Sequence, residues 1–413
     1  MKLAFKKISS PVAYCALSTA AGTRHEGNEY NGLAHLIEHM LFKGTEKRSS
    51  ASINNILEKE GGELNAYTTK EEIVIMATVL LEDLPKAIDL ITELAFKSTF
   101  PEDELEKEKD VVYDEIITYK DSPSESIYEN FEELLFEGSP LQATILGEKK
   151  SLKKITSDIL RNYRKKEFIP ENMSISVVAD KEPKEVKKIV RKSLGKYYGT
   201  VDIADCPKES GESDSYESLN DNIKALGAGH IFHKVILKKN HQANCIVGCP
   251  AYSFYGGKKR IALALIANIL GGPASNAWLN TNLREKNALV YNVEANYSSY
   301  SDTGVFSIYF GCEKQLLEKC MALVKKQIDK IVNRELSETE LKRAKKQFLG
   351  QLFIANDNPE AMSLSMAKSM QVYGRVFSFE STEKLINSLT PEYIREVAAE
   401  AIKWDRMSVL IYE

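Results

Sequence analysis

The chain has 413 residues, a length that favours two domains over one. Hydrophobic residues make up 43% and charged residues 28%, the profile of a folded globular chain rather than a disordered or fibrous one. A net charge of −4 argues against a general nucleic-acid binder.

Lysines open the chain, but the stretch from Val12 to Ala21 is broken by Tyr14, Ser18 and Thr19. It lacks the continuous apolar run of a secretory signal and is too short to span a bilayer. No other segment reads as a span. The six cysteines are scattered and do not suggest a disulfide framework. The expectation is a cytoplasmic protein without a membrane partner.

In chain order, Val12 to Ala21 reads as a strand and Gly32 to Phe42 as an apolar helix. Helical patterns follow at Ser52 to Glu60 and Pro85 to Lys97, with a strand pattern at Glu72 to Leu80 between them. Phe100-Pro101-Glu102-Asp103-Glu104-Leu105 is an acidic helix start, and Pro101 suits a first helical turn. Met173 to Ala179 reads as a strand. A polar segment rich in Ser, Asp and Glu then marks a linker. Beyond it the order repeats: strand Ala243 to Ala251, apolar helix Arg260 to Leu270, strand Gly304 to Phe310. A second acidic helix start follows at Leu336 to Leu341, where Ser337 and Glu340 have capping-box spacing. A last helix is expected at Pro391 to Lys403.

The halves therefore look like diverged copies of one unit. The expected fold is α+β: two homologous domains, each an antiparallel-rich sheet with helices packed on one face. The expected boundaries are 1–200 for the first domain, 201–228 for the linker and 229–413 for the second domain.

His35, Glu38 and His39 lie in Leu33-Ala34-His35-Leu36-Ile37-Glu38-His39-Met40-Leu41, a run of helix formers without Pro or Gly. Positions i, i+3 and i+4 share one helix face, so two imidazoles can reach one ion beside a carboxylate. The donors suit zinc, and a catalytic zinc takes three protein ligands and one open position. A carboxylate beside the fourth position can act as general base. This H-x-x-E-H order is the inverzincin signature. Two histidines and a Glu on a helix can also be core and surface residues without a metal. The residues around them decide the matter.

Those residues resemble the pitrilysin/insulinase family of zinc peptidases, nearest to its bacterial members of the mitochondrial-processing-peptidase type. The matching stretches are Gly32 to Thr45, Gly61-Gly62-Glu63-Leu64-Asn65-Ala66-Tyr67-Thr68, Glu104 to Ile116, and Leu283-Arg284-Glu285-Lys286 with Tyr291. The resemblance implies one zinc per chain, with Glu115 as third ligand after His35 and His39. It implies that Glu108 supports the site electrostatically, two turns before Glu115. It implies that Asn65, Ala66 and Tyr67 take an extended peptide as an added strand on a sheet edge. It also implies that Arg284 and Tyr291 of the second domain hold the substrate carbonyl. Glu125 and Glu129, four apart on an expected helix, resemble acidic positions that read a basic side chain near the cleavage site; a solvated helix face explains them equally well.

The internal repeat allows a check. Aligning Cys15 with Cys245 sets Leu265 opposite His35 and Ile269 opposite His39. Aligning Glu104-Leu105 with Glu340-Leu341 sets Ala344 opposite Glu108 and Gln351 opposite Glu115. The second half has no metal set at these places. Gly271-Gly272-Pro273 resembles a family glycine-rich loop, but Trp278 stands where the family has an Arg. His230, His233 and His241 lack a fourth ligand and are not expected to bind metal. Cys245 and Cys249 read as buried thiols.

The expected activity is zinc-dependent endoproteolysis of short or unfolded peptides, with Glu38 as base. In the family, short chains pair to enclose a chamber, so the expected assembly is a C2 homodimer. The second domain of one chain would then face the zinc of the other. The rival readings are a non-catalytic peptide-binding or core subunit of a heteromeric peptidase, and a structural zinc domain.

Overall fold

The computed structural model of the chain describes residues 1–207, 229–238 and 241–413. The first half supplies strands β1 (Lys2–Lys7), β2 (Val12–Thr19), β3 (Glu63–Thr68), β4 (Ile73–Leu80), β5 (Met173–Ala179) and β6 (Ala204–Asp205). Its helices are α1 (Leu33–Leu41), α2 (Ser50–Glu58), α3 (Leu84–Lys97), α4 (Glu102–Lys120), α5 (Pro123–Leu135), α6 (Lys149–Leu152), α7 (Ser157–Glu167) and α8 (Pro183–Tyr197). The second half supplies β7 (His233–Ile236), β8 (Ala243–Ala251), β9 (Val290–Ser299), β10 (Gly304–Cys312) and β11 (Ser408–Tyr412). Its helices are α9 (Gly257–Gly271), α10 (Leu317–Asn333), α11 (Glu338–Asn356), α12 (Pro359–Tyr373), α13 (Phe379–Asn387) and α14 (Pro391–Ala401). Among the described residues no helix is long and apolar enough to cross a membrane.

Two mixed sheets result. The first has the order β3-β4-β2-β5-β1-β6 and the second β7-β11-β8-β10-β9. Antiparallel pairs dominate both; β1 runs parallel to β5 and β6, and β11 parallel to β7. The α+β expectation holds.

Strand alternation explains the layering. In the first sheet Leu17, Ile75, Ile175 and Val177 point into the main core, where α3 and α8 pack. The intervening residues are small: Ala4, Ala16, Ser174 and Ser176. They admit one helix, α12, against the opposite face. Ser174 donates to the Ala367 carbonyl at 2.7 Å and Ser176 to the Ser363 carbonyl at 2.6 Å. The second sheet repeats the plan. Cys245, Val247, Cys249, Phe306 and Ile308 face α9, α10 and α14. Ile246, Val305, Tyr309 and Tyr412 face Ile127, Phe131 and Leu135 of α5.

The two helices on these second faces have been exchanged. One compact unit comprises Met1–Thr118, Ala143–Lys208 and Ile354–Val376; the other comprises Tyr119–Gln142, Glu209–Phe353 and Phe377–Glu413. Both units are thus discontinuous in sequence. An amphipathic helix carries no mark of which sheet it will cover, so the exchange is invisible to pattern reading. The expected linker 201–228 also opens on structure, since Ala204 and Asp205 pair with Lys2 and Leu3. The rest of it, 208–228, lies outside the described residues.

Candidate metal centre

The site is built on α1. Leu36, Ile37, Met40 and Leu41 are fully buried and pin the helix to the first core. That packing leaves His35, Glu38 and His39 on the remaining face. The helix begins at Gly32, which holds φ +94°. A Cβ there would stand 2.8 Å from the Leu146 carbonyl oxygen, so both conformation and space require glycine. Gly32 has no side chain to cap the helix. Glu26 does so instead: its carboxyl oxygens accept from the amides of Gly32 at 2.8 Å and Ala34 at 2.5 Å, and burial pushes the group up to about 8.

Helix α4 supplies the second wall. Leu105, Val112 and Ile116 are buried and orient it. Glu108 and Glu115, seven residues apart, share its inward face. Glu115 Oε2 lies 3.7 Å from His35 Nε2 and 3.6 Å from His39 Nε2. Among the described residues these three form a group of donors close enough to share one ion. Two donors on one tetrahedral zinc stand roughly 3.3 Å apart, so the Glu115–His pairs would need to close by only a few tenths of an ångström. Burial, helped by the neighbouring His39, pushes His35 down to about 4, which keeps it a neutral donor at neutral pH. Its Nδ1 is buried without a hydrogen-bond partner.

Around the three donors stand further groups. Glu108 is 8% exposed; its Oε2 lies 3.1 Å from His39 Nδ1, and its Oε1 lies 2.5 Å from Lys43 Nζ. Glu38 is half-buried, and burial raises it above the ordinary carboxylate range while the Thr68 hydroxyl opposes the shift. Thr68 ends β3, the edge strand that carries Asn65, Ala66 and Tyr67. Its hydroxyl oxygen lies 3.5 Å from the Ala34 carbonyl oxygen, so β3 runs beside α1.

The second unit shows what the same frame does without donors for a metal. The offset that sets Leu265 opposite His35 sets Asn268 opposite Glu38. Asn268 donates from Nδ2 to Gln351 Oε1 at 2.7 Å. Two neutral amides thus bond where the first unit has two carboxylates, and Leu265 and Ile269 are buried apolar residues.

Arg284 and Tyr291 fall in this second unit. Arg284 sits in a π-helical turn, Asn280–Glu285, with Nε 3.0 Å from Glu285. Tyr291 is the second residue of β9 and is 91% exposed. Both line a cleft of about 1090 Å³ with His241, Asn244 and Tyr309. Glu125 and Glu129 lie on α5, which also belongs to the second unit rather than to the unit with the histidines. Trp278 packs on the second core beneath Lys330, whose Nζ stands 3.7 Å from the ring centre. His230 Nε2 lies 3.0 Å from the Glu137 carbonyl oxygen.

Sequence reading missed Glu26, Lys43 and Thr68. Lys43 follows His39 by four residues but lies two residues beyond the end of α1, so helix spacing did not place it. Its acidic partner comes from a distant helix, which only folding brings near.

A three-donor tripod on two helices, beside the edge strand of an α+β sheet, defines the class. Residues 2–149 match the family described as insulinase (peptidase family M16), and residues 154–348 match the peptidase M16 inactive domain. The chain belongs to peptidase family M16. It is similar to an uncharacterized zinc protease of Streptomyces coelicolor, 28% identical over 92% of this chain and 80% of that protein. Similarity extends to the uncharacterized zinc protease YmxG of Bacillus subtilis, 28% identical over 94% and 90% of the two chains. In fold it resembles the crystal structure of a peptidase M16 inactive domain from Pseudomonas fluorescens, with TM-score 0.85, 20% identity, and coverage of 99% and 94%. A protease from Helicobacter pylori gives TM-score 0.83 at 19% identity, covering 99% and 96%.

Proposed function

We propose that the chain is a zinc metalloendopeptidase cleaving short or unfolded peptides, with His35, His39 and Glu115 as ligands and Glu38 as general base. The observation that carries this reading is the convergence of two imidazole Nε2 atoms on one Glu115 oxygen, at 3.7 and 3.6 Å, with all three donors within 4.8 Å of one another. A zinc ion held there supplies an acidified water and an electrophile for a peptide carbonyl. Glu38 takes the water proton and later delivers it to the departing amine. Its raised affinity for protons suits that traffic. The β3 edge offers main-chain hydrogen bonds through Asn65, Ala66 and Tyr67, so an extended peptide adds as a further strand. Arg284 and Tyr291 donate hydrogen bonds to the substrate carbonyl from the facing chain of a C2 homodimer. Glu125 and Glu129 receive a basic substrate side chain.

The relatives named as zinc proteases support the activity and the metal. A non-catalytic subunit is the second reading, favoured by the match of residues 154–348 to an inactive domain. The histidines, Glu38 and Glu115 all lie in the other matched segment.

The test is digestion of a peptide library by the purified protein after metal analysis. Glu38→Gln is expected to keep zinc and to lose about 100- to 10,000-fold in rate. Chelation is expected to abolish cleavage, and zinc to restore it. Peptide binding without cleavage, or cleavage indifferent to Glu38→Gln, overturns the reading. Sedimentation at twice the mass of one chain is the expected result for the dimer.

A further inference from the structure

We infer that Lys43 is a positioning residue that fixes the tautomer of His39 through Glu108 and thereby the donor atom offered to the metal. The inference rests on the ligand assignment proposed above. The chain of contacts is short. Lys43 Nζ lies 2.5 Å from Glu108 Oε1, and Glu108 Oε2 lies 3.1 Å from His39 Nδ1. The Glu108 side chain is 10% exposed and that of Lys43 25%.

Each oxygen of Glu108 has one partner, and each partner has a consequence. A carboxylate only accepts hydrogen bonds. The atom facing it on His39, Nδ1, must therefore carry the proton. A neutral ring with its proton on Nδ1 presents its lone pair on Nε2. That is the atom 3.6 Å from Glu115 Oε2. The other histidine has no such device, since His35 Nδ1 is buried without a partner. Tautomer control in the tripod thus runs through His39 alone.

Lys43 holds this carboxylate in place. A Glu side chain has three rotatable bonds, and a bond to His39 alone leaves the carboxylate free to swing about that contact. The ammonium group on the other oxygen closes the second end. Lys43 lies two residues past the end of α1, and its own amide donates to the Met40 carbonyl at 3.2 Å. The cation is therefore tied by its backbone to the last turn of the helix that carries the ring it serves. An isosteric apolar side chain would fill the space and lose the anchor.

The test compares wild type, Lys43→Met and Lys43→Arg as full chains. Zinc affinity is measured by competition with a chromophoric chelator. The ring state is read from long-range ¹H–¹⁵N spectra of histidine-labelled, metal-free protein, which is tractable because the chain has only six His. Lys43→Met is expected to bind zinc about tenfold more weakly, and Lys43→Arg to stay within about threefold of wild type. The His39 signals are expected to show one Nδ1–H tautomer in wild type and Lys43→Arg, and a mixture in Lys43→Met. Should Lys43→Met fail to fold, Lys43→Gln is read in its place by the same two measurements. Equal zinc affinity, or an unchanged single tautomer, in the variant lacking the cation overturns the inference. Failure of the wild type itself to bind zinc instead removes the ligand assignment on which the inference stands.

Discussion

Removing the cap of α1 is the sharpest test of how this site is held. In Glu26→Ala the amides of Gly32 and Ala34 lose their acceptors, now at 2.8 and 2.5 Å. Both residues are buried, Ala34 completely, so water replaces the carboxylate poorly. Each stranded buried donor costs about 1–3 kcal/mol. Loss of an N-terminal cap costs about 0.5–2 kcal/mol by direct measurement. The two scales meet near ~2 kcal/mol, a sizeable fraction of the roughly 5–15 kcal/mol margin of an ordinary domain. Urea unfolding in the presence of a chelator measures the loss without a contribution from metal. Hydrogen exchange at Gly32 and Ala34 is expected to accelerate at the same time. Glu29→Ala is the control: this neighbouring side chain is 62% exposed, and its loss is expected to stay within about 0.5 kcal/mol. A loss below about 0.5 kcal/mol in Glu26→Ala, with both amides still protected, would refute the capping account.

Gly32→Ala is expected to destabilise by at least ~1–2 kcal/mol from the left-handed conformation alone, with a further loss from the 2.8 Å approach to the Leu146 carbonyl; urea midpoints check this. Zinc at 100 times its Kd is expected to stabilise the folded chain by about 2.7 kcal/mol. Calorimetry is expected to find most of that gain missing in Glu115→Gln at the same zinc concentration. The Ser337 backbone amide, which donates to Glu340 Oε2 at 2.8 Å, holds Glu340 below its ordinary value of 4.5. A depressed carboxylate contributes stability above the unfolded value, and that contribution is lost as pH falls through the folded one. The stability difference between wild type and Glu340→Gln is therefore expected to be constant above pH 4.5 and to shrink below it, as read by urea midpoints across that range.

Much of the frame was legible because its signals are local. Met173–Ala179 and Ala243–Ala251 form strands over the residues their apolar runs indicated, and α1 differs from its expected span only at the ends. The Ser337–Glu340 capping box closes as its spacing implied, with Glu340 N 3.2 Å from Ser337 Oγ. The repeat, too, was visible, since a strand, an apolar helix and an acidic helix start recur in the same order. Helix periodicity alone put His35, Glu38 and His39 on one face. Glu115 is different. Its acidic helix looks like any solvated helix, and only the family resemblance singled it out before folding brought its carboxylate to the histidines.

The primary structure on its own settled what depends on neighbours along the chain: where helices start, which strands alternate, and which three side chains share one turn of α1. Tertiary structure decided everything that depends on distant partners. It exchanged α5 and α12 between the sheets, set Glu26 over the start of α1, and joined Lys43 to His39 through Glu108. The physical reason is the range of the forces. Periodicity and capping act over three or four residues, whereas apolar faces are interchangeable partners until close packing selects among them. A buried carboxylate likewise declares its role only when the fold has surrounded it with donors.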